Sequence, residues 1–476
     1  MIADMIRCFL FFDDWMIDDI KDVERHFGQP EFEGPLIDGE FGLDSTVELP
    51  GDQWPTKWRM WYLRRLQPDQ ITEPGRNPRS YFCLAESDDG VEWRRANLPE
   101  GHRPVRDLEN CVFEHTAKQI RWDPWDPDPQ RRYKAGFDNM TVRETHPNRS
   151  LLMGWSPDGV RWIADDDPER AYYTREGGND GTRTPFYSPI TRQWHMVCRP
   201  YCPDRRIAVT SSSDLKQWTD VWTMMQPDSL DPPGTQFYGL RGVWPYGVTT
   251  GSGQPEDFEG TFVAMLNVYR ASLGERMGGA KWLGNGYSEL AYSTNGLFWN
   301  RTNRRPVFAE GNHGEPGGGW TDSYIVGYDE KDRLRFVVSR SGGSHRHQRP
   351  FAWQHAVLRK DGFVYLRSIG VGRVGFKGMH PAKGDLNINF LAPRGRVRVQ
   401  ACDMDFKPLD GFTFDDCVGL EGDELHAPVR WKNKTPQDLV NQAVRLEFEL
   451  FQAQLYAVRW TCDHLVYADG PVHDLR

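Results

Sequence analysis

The 476-residue sequence lacks features that would place it in several common functional classes. It has no apolar run of about 18 residues, the length that a membrane-spanning helix needs. It has no long basic block, and its net charge of −10 argues against nucleic acid as the main partner. We therefore expect a globular protein whose partners are neither membranes nor nucleic acids.

Cysteine is present but is not arranged for metal binding. The eight cysteines are scattered and none form a CxxC pair; the closest two, Cys198 and Cys202, have three residues between them. A zinc site needs clusters of cysteine or histidine at defined spacing. The sequence predicts reduced, mostly buried thiols, no metal site and no cofactor, and leaves open a structural or catalytic cation such as calcium.

The N-terminal stretch does not have the pattern of a secretion signal. Its apolar core is short, ends at Asp13 and Asp14, and lacks the order of basic, apolar and small residues. We therefore expect a cytoplasmic protein. The apolar residues before the paired acids indicate a buried strand, whose acids either point into a site or occupy a solvated turn.

Helical periodicity is scarce. The best helical candidate is one short amphipathic segment, MIDDIKDVERHF at 16–27. The sequence therefore predicts an all-β protein.

A motif of the form Ser-x-Asp/Asn-Gly-x-x-Trp recurs along the chain. Asp-Gly or Asn-Gly supplies the positive φ of a tight hairpin, and the aromatic residue can pack across it. The copies are SDDGVEW (87–93), SPDGVRW (156–162), SSDLKQW (212–218), STNGLFW (293–299) and a degenerate RKDGFVY (359–365).

A strand-forming run precedes each copy, and another strand with a turn precedes four of these runs. Each repeat is therefore predicted to hold three or four antiparallel strands. Five repeats of about 70 residues predict a five-bladed β-propeller over 1–368. The runs are 57–65, 132–139, 192–199, 260–270 and 333–340.

The pattern changes in the C-terminal part of the chain. GVGRVGFKGMHPAKG (370–384) is basic and rich in glycine, and is predicted to be a linker. Segments that alternate apolar and polar residues follow, including DLNINFL and RVRVQACDMD. Alternation with period two and short turns predicts a β-sandwich over 369–476.

Polar residues recur where the innermost strand of each repeat is predicted to begin. In each repeat, the start of the innermost strand is located by counting back seven residues from the aromatic residue that precedes the first turn of that repeat. Burying a carboxylate that has no role costs free energy. Several carboxylates that converge on one pocket are the arrangement that glycoside hydrolysis needs. The alternative is that these acids cap the starts of strands. The residues at or beside this level are Glu40, Glu114, His115, Asp180, Gln236, Tyr238 and Asp322.

Further residues near this level are candidates for sugar binding. Trp320 lies two residues from Asp322 and could form a stacking wall for a sugar ring. Arg340 and His345 belong to the most basic local cluster, 339–349, which either holds a uronate, sulfate or phosphate or is a solvated loop. Arg183, close to Asp180, completes the predicted substrate-binding set.

These features resemble the five-bladed propeller glycosidases, chiefly glycoside hydrolase families 32, 43 and 68, with a C-terminal sandwich as in family 32. The sequence is also similar to a group of bacterial proteins that begin with an apolar strand ending in Asp-Asp and carry GTQFYG (234–239) and GFTFDDC (411–417). The signatures WMNDPNG, RDP and EC of the characterised families are absent. The resemblance therefore extends to the class and not to a fructosidase.

The resemblance implies that the catalytic acids come from the first three blades. The first supplies the nucleophile or base, the second an orienting acid, and the third the general acid. By position these are Asp13 or Asp14 (or Glu40), then Glu114 or His115, then Asp180.

The sequence thus predicts a glycoside hydrolase that acts on a terminal sugar of an oligo- or polysaccharide, because a funnel closed by side chains admits a chain end. The alternatives are a non-catalytic sugar-binding propeller, a glycoside phosphorylase and a metal-dependent enzyme with His115, His345 and acids around a cation. The predicted catalytic residues are Asp13, Asp14, Glu114, Asp180 and Asp322.

Overall fold

The computed structural model describes most of the chain. The described residues are 6–37, 46–48, 57–65, 80–100, 102, 108–123, 125–173, 184–200, 202, 204–248, 258–271, 284–312, 314–315, 317–344 and 351–464. Among them, the one α-helix is α1 (Met140–Thr145), and the prediction of an all-β protein is confirmed. No helix in this part of the chain has the length and apolar character of a membrane span.

The strands are numbered in chain order. The first thirteen are β1 (Ile6–Leu10), β2 (Ile17–Lys21), β3 (Glu24–Phe27), β4 (Glu31–Ile37), β5 (Thr46–Glu48), β6 (Trp58–Arg65), β7 (Ser80–Ser87), β8 (Arg94–Arg95), β9 (Cys111–Phe113), β10 (Thr116–Trp122), β11 (Tyr133–Asp138), β12 (Leu151–Ser156) and β13 (Ile163–Ala164). The next eight are β14 (Thr184–Ser188), β15 (Gln193–Cys198), β16 (Ile207–Ser212), β17 (Trp222–Met225), β18 (Thr235–Pro245), β19 (Phe262–Ala271), β20 (Gly284–Ser293) and β21 (Asn300–Arg301). The last eight are β22 (Trp320–Tyr328), β23 (Arg333–Ser341), β24 (Phe351–Arg359), β25 (Val364–Phe376), β26 (Met379–Pro381), β27 (Asn387–Cys402), β28 (Leu420–Pro428) and β29 (Arg445–His464). Short 3₁₀ turns lie at Pro129–Arg131, Pro147–Arg149, Pro168–Arg170 and Pro436–Leu439.

The chain divides into two compact units. The central unit comprises Pro30–Asp257 and Phe262–Val357, and the terminal unit comprises Met1–Gln29, Phe258–Thr261 and Leu358–Arg476. This division differs from the predicted boundary between 368 and 369. The N-terminal strand causes most of the difference, because β1 pairs with β29 rather than with a strand of the central unit.

The described residues of the central unit form five groups of antiparallel strands. The orders are β5-β6-β7-β8 with β9 beside β7, β10-β11-β12-β13, β14-β15-β16-β17, β18-β19-β20-β21 and β22-β23-β24-β4. The fourth and fifth groups share a single parallel bridge between Gly286 and Trp320. The strands predicted before each motif copy are confirmed as β6, β11, β15, β19 and β23.

The first strands of the five groups contact one another in cyclic order. β5 contacts β10, β10 contacts β14, β14 contacts β18, β18 contacts β22, and β22 contacts β5. Apolar residues pack between adjacent groups; Trp61 and Phe82 of the first group, for example, share a buried cluster with Ile120 and Phe137 of the second. Burial of such side chains is the main stabilising contribution to the packing between groups.

The recurring motif forms one turn structure in its four full copies. In the first copy the Ser87 hydroxyl accepts the N–H of Gly90 at 2.9 Å, and Asp89 Oδ1 accepts the N–H of Val91 at 2.8 Å. The Trp93 indole donates back to the Gly90 carbonyl at 3.1 Å. The fourth residue has positive φ in every copy, at Gly90, Gly159, Leu215 and Gly296. Serine and Asp/Asn make these bonds in all four copies, whereas in the third copy Leu215 takes the glycine position and the Trp218 indole has no hydrogen-bond partner among the described residues.

Each of these turns follows the third strand of its group, and so does the degenerate fifth turn at 359–365. The fifth turn leads into β25 of the terminal unit, and β4 takes the fourth place in its group. The five copies therefore belong to five different groups, as predicted.

The terminal unit contains one hydrogen-bonded sheet with the order β2-β25-β29-β27-β28, and β1, β3 and β26 pair with β25 or β29. The predicted helix at 16–27 is wrong, because its two halves are β2 and β3, which pair with β25. The predicted linker at 370–384 is also wrong, because β25 and β26 occupy most of it. Gly372 illustrates the cause: a side chain there would meet Val23, so the glycine marks close strand contact rather than a flexible connection.

Candidate functional site

The start of β22 and the middle of β18 bring a carboxylate and a guanidinium together. Asp322 Oδ2 lies 2.8 Å from Arg241 Nη2, and both side chains are mostly buried. The β18 ladder shifts register after Arg241, and Gly242 has a φ of 57°. A Cβ at Gly242 would lie 2.8 Å from Tyr324 Cβ, so glycine permits β18 and β22 to approach closely enough for the ion pair.

Gln236 and Tyr238 lie on the same strand as Arg241 and contact two further arginines. Arg205 Nη1 donates to Gln236 Oε1 at 2.7 Å, and Arg199 Nη2 donates to the Tyr238 carbonyl at 3.0 Å. Both guanidinium groups lie over the Tyr238 ring, at 5.2 Å for Arg199 and 5.5 Å for Arg205. Cationic groups therefore surround this tyrosine.

Trp320 joins the same group but is not open to a sugar ring. Its ring packs edge-on against Tyr238 with centroids 5.0 Å apart, and its side chain is only 2% exposed. A Cβ at Gly286 would lie 2.7 Å from the Trp320 ring, so the tryptophan fills the space beside that glycine. The structure thus brings together four sequence-predicted residues: Gln236, Tyr238, Trp320 and Asp322.

His115 and Glu114 lie at the bend before β10. The His115 ring is buried between Phe113 and Phe137, with centroids 5.1 and 5.2 Å away, and its Nδ1 accepts the N–H of Met140 at 3.2 Å. Glu114 is exposed. His115 therefore supports the start of α1, and its predicted contact with substrate stays a prediction.

Arg340 has contacts that hold it against a loop. Arg340 Nη2 donates to the Ala309 carbonyl at 2.9 Å, and the guanidinium lies 4.5 Å from the Phe32 ring centroid. Burial lowers its pKa. In the β22–β23 ladder Arg340 opposes Thr321 whereas Asp322 opposes Ser339, so Arg340 and Asp322 project from opposite faces of the sheet.

Asp13 and Asp14 lie in the terminal unit, in the exposed turn between β1 and β2. Asp13 Oδ1 accepts the N–H of Trp15 at 2.8 Å, and Asp14 forms an ion pair with Arg25. The apolar strand before them was predicted correctly, whereas their exposure matches the solvated-turn alternative.

Four of the sequence-predicted residues lie outside the described part of the chain: Glu40, Asp180, Arg183 and His345. Three arginines of the site, Arg199, Arg205 and Arg241, were missed by sequence reasoning. No motif marks these arginines, and only the long-range packing of β18 and β22 reveals Arg241 as a partner of Asp322.

Within the described residues, one group of three side chains has metal-ligating atoms close together: Cys8, Glu259 and Asp361, all in the terminal unit. Arg459 already fills this group, with Nη1 at 2.7 Å from Asp361 Oδ2 and Nε at 2.9 Å from Glu259 Oε1. Burial raises the pKa of the Cys8 thiol well above its usual value, which disfavours the thiolate that binds metals. The donor set fits an arginine rather than a metal ion.

No protein-family model and no curated protein matches the sequence. Among solved structures, the chain is similar to a protein titled glycoside hydrolase, with 13% identity, 70% of this chain and 92% of that chain covered, and a TM-score of 0.39. It is similar to an N-acetylgalactosamine deacetylase from F. plautii in complex with blood group B trisaccharide, at 12% identity, 71% and 95% coverage and a TM-score of 0.41. It is also similar to a beta-1,2-mannobiose phosphorylase from Listeria innocua, at 12% identity, 71% and 97% coverage and a TM-score of 0.39. Likeness at this level does not establish an activity.

Proposed function

We propose that the five strand groups of the central unit are the blades of a five-bladed β-propeller. The cyclic contacts among β5, β10, β14, β18 and β22 support this, because the innermost strands of a propeller surround a central channel. The pairing of β4 with β24 supports it too, since an early strand then completes the group formed by late strands and closes the ring.

For the terminal unit we propose a β-sandwich. β27 and β29 are 16 and 20 residues long, and their ladder shifts register between Leu391 and Arg396. Long strands with such irregularities can bend and contribute to two packed layers.

We propose that the central unit is a carbohydrate-active enzyme that hydrolyses the glycosidic bond of a terminal sugar. The observation that carries the proposal is the Asp322–Arg241 ion pair, on the two strands that also hold Tyr238 and Trp320 in contact. A neighbouring guanidinium favours the charged form of a carboxylate. Asp322 is therefore suited to act as nucleophile or base rather than as the proton donor.

Glycoside hydrolysis also needs a general acid on the other side of the scissile bond. Asp180 is the candidate, because counting along the sequence sets it at the level of Asp322 at the start of the innermost strand of the third blade. Gln236 and Arg205 are proposed to bind sugar hydroxyls. Asp13 and Asp14 are not part of this proposed site.

A glycoside phosphorylase is the second candidate function. Arg199 and Arg205 both lie over Tyr238, and arginine pairs are suited to an inorganic phosphate.

A substrate screen distinguishes these functions. Aryl glycosides and oligosaccharides are incubated with the full chain, with and without inorganic phosphate, and the products are separated by chromatography. Release of a free terminal sugar without phosphate supports the hydrolase, and release of a sugar phosphate supports the phosphorylase. Sugar binding by calorimetry without any turnover would instead indicate a non-catalytic sugar-binding protein.

A further inference from the structure

Two cysteines lie directly opposite each other in a strand ladder of the central unit. Cys83 of β7 is the partner of Cys111 of β9. Every other cysteine that belongs to a described ladder or bridge lies opposite a residue of another type; Cys198, for example, opposes Ala208. The strand pairing therefore selects one pair from the eight cysteines of the chain.

The backbone hydrogen bonds around the two cysteines define how they face each other. The Cys111 N–H donates to the Leu108 carbonyl at 3.2 Å, and the Leu84 N–H donates to the Asn110 carbonyl at 2.9 Å. This pattern identifies Cys83 and Cys111 as a non-hydrogen-bonded pair, in which the side chains are closest. Opposite Cα atoms in such a pair lie about 4.5 Å apart, within the roughly 4.4–6.8 Å that a disulfide bond spans.

A buried asparagine holds the turn before β9 in this position. Asn110 Nδ2 donates to the Tyr62 hydroxyl at 2.9 Å and to the Leu84 carbonyl at 2.8 Å, and the asparagine is 0% exposed. Because buried polar groups lose free energy when their hydrogen bonds break, these contacts favour the observed register of β9 against β7. The cysteine pair therefore stands in a fixed part of the first strand group.

The two thiols contact each other in the core. Cys83 and Cys111 are both 0% exposed, and Cys111 Sγ donates to the Phe113 carbonyl at 3.4 Å. The hydrogen bond between Cys83 and Cys111, together with burial, raises the pKa of the Cys83 thiol well above its usual value. Folding therefore disfavours the reactive thiolate and shields both sulfurs from reagents in solution.

We propose that Cys83 and Cys111 are an oxidation site, where a disulfide bond forms when the chain folds in the presence of a small-molecule disulfide such as oxidised glutathione. One cysteine loses its proton to solvent, attacks the oxidised glutathione and releases one reduced glutathione. The second cysteine loses its proton, attacks the mixed disulfide and releases the other. Two protein thiols are thereby oxidised and one glutathione disulfide is reduced. Because the folded core excludes the reagent, the exchange takes place before β7 and β9 pair.

The bond would restrain the first strand group. The loop that it closes contains the first motif turn (87–93) and β8, and β9 leads directly to β10 of the second group. Closing such a loop reduces the freedom of the unfolded chain. The urea concentration at the unfolding midpoint is therefore expected to be higher for the oxidised protein. The proposal does not depend on the proposed activity toward sugars.

Refolding of the full chain in a glutathione buffer tests the proposal. The reduced protein is unfolded in urea and diluted into oxidised and reduced glutathione. Free thiols are then alkylated, and peptides are mapped by mass spectrometry without reduction. We expect a peptide that joins Cys83 to Cys111, and two fewer alkylated thiols than the eight of the reduced chain. Cys111→Ala is expected to lose the cross-link, whereas Cys198→Ala, at another buried cysteine, is the matched control and keeps it.

Three outcomes would overturn the proposal. The first is eight alkylated thiols after refolding of the wild type in oxidised glutathione, which would show that the pair only packs the core. The second is cross-linking of Cys83 to other cysteines as often as to Cys111. The third is a cross-linked protein that lacks the circular dichroism spectrum of the reduced form. These three measurements use the wild type, so they decide the proposal even if Cys111→Ala does not fold.

Discussion

The indole Nε1 of Trp61 donates a hydrogen bond of 2.7 Å to the carbonyl of Gly159, 98 residues away in the sequence. The bond joins the motif turn of the second strand group to the first group. The Ser188 hydroxyl likewise donates to the Asn295 carbonyl at 2.8 Å, and His355 donates to the Gly90 carbonyl. The motif therefore both closes its own turn and docks that turn onto the preceding group.

Gly159→Ala tests this docking. A Cβ at Gly159 would lie 2.5 Å from Trp61 Cζ2, so we expect a loss of stability typical of overpacking, about 1–3 kcal/mol. The control is Gly314→Ala, since Gly314 also has positive φ but its Cβ would meet no atom within 4 Å. Urea unfolding measures both variants. An equal loss in the two would show that backbone strain and not docking is responsible.

The pH dependence of stability is expected to include a contribution from His195. Burial lowers the pKa of His195 from its usual value of 6.5 to about 4. The folded state therefore favours the neutral ring. The stability that His195 contributes is fully present above the pKa that this residue has in the unfolded chain. It falls as pH drops below about 6.5 and levels off near 4, a loss of about 3 kcal/mol.

The comparison for this prediction is His195→Gln, which removes the titrating ring. Its stability is expected to vary less than that of the wild type between these two pH values. Parallel pH profiles for wild type and variant, measured by urea unfolding, would contradict the assignment to His195. The His195 ring forms hydrogen bonds of 2.8 Å with Thr191 and Ser211. Because the variant lacks this ring, its stability at neutral pH is expected to be lower as well.

Local chemistry explains which parts of the fold were predictable. The motif turns follow from short-range hydrogen bonds, such as that between Ser87 and Gly90, and the strands before them alternate clearly. Residues 16–27 were misassigned because their acidic and apolar residues fit a helix, whereas pairing with β25 makes them strands. Gly372 contributed to the linker prediction because the sequence alone does not distinguish a glycine in a strand from a glycine in a loop. The structure shows that a side chain at position 372 would meet Val23.

Long-range pairing explains what was missed at the candidate site. The acids at the end of β1 were assigned to the central unit, because no local pattern shows that β1 pairs with β29. Counting along the strands located Asp322 correctly at a strand start. It did not reveal Arg241, whose position depends on the close approach of two strands at Gly242.

The buried ion pair of Asp361 and Arg459 is expected to stabilise the terminal unit. Asp361 is fully buried and accepts two guanidinium hydrogen bonds of 2.7 Å. Asp361→Asn removes two charge-assisted hydrogen bonds but leaves Arg459 paired with Glu259, so we expect a loss of about 1.5–3 kcal/mol in unfolding free energy. Asp88→Asn, which breaks the exposed pair with Arg94, is the control and is expected to change stability little. A similar melting temperature for both variants would contradict the prediction.

Asp322→Asn is expected to lower turnover of the substrate found by screening at least about 10²-fold, the scale of acid–base and nucleophilic contributions. The exposed Asp166→Asn in the same unit is the matched control and keeps wild-type rates. Initial rates and circular dichroism are measured on both variants. Wild-type turnover in a folded Asp322→Asn protein would show that this carboxylate only anchors Arg241.

The location of a bound sugar tests the central claim most directly. A crystal structure of the full-length Asp180→Asn protein, soaked with the oligosaccharide that the wild type cleaves, is the measurement. The terminal sugar is expected within hydrogen-bond distance of Asp322, with Arg205 or Gln236 contacting its hydroxyls. A sugar bound elsewhere on the molecule, with no density beside Asp322 and Arg241, would contradict the proposed site.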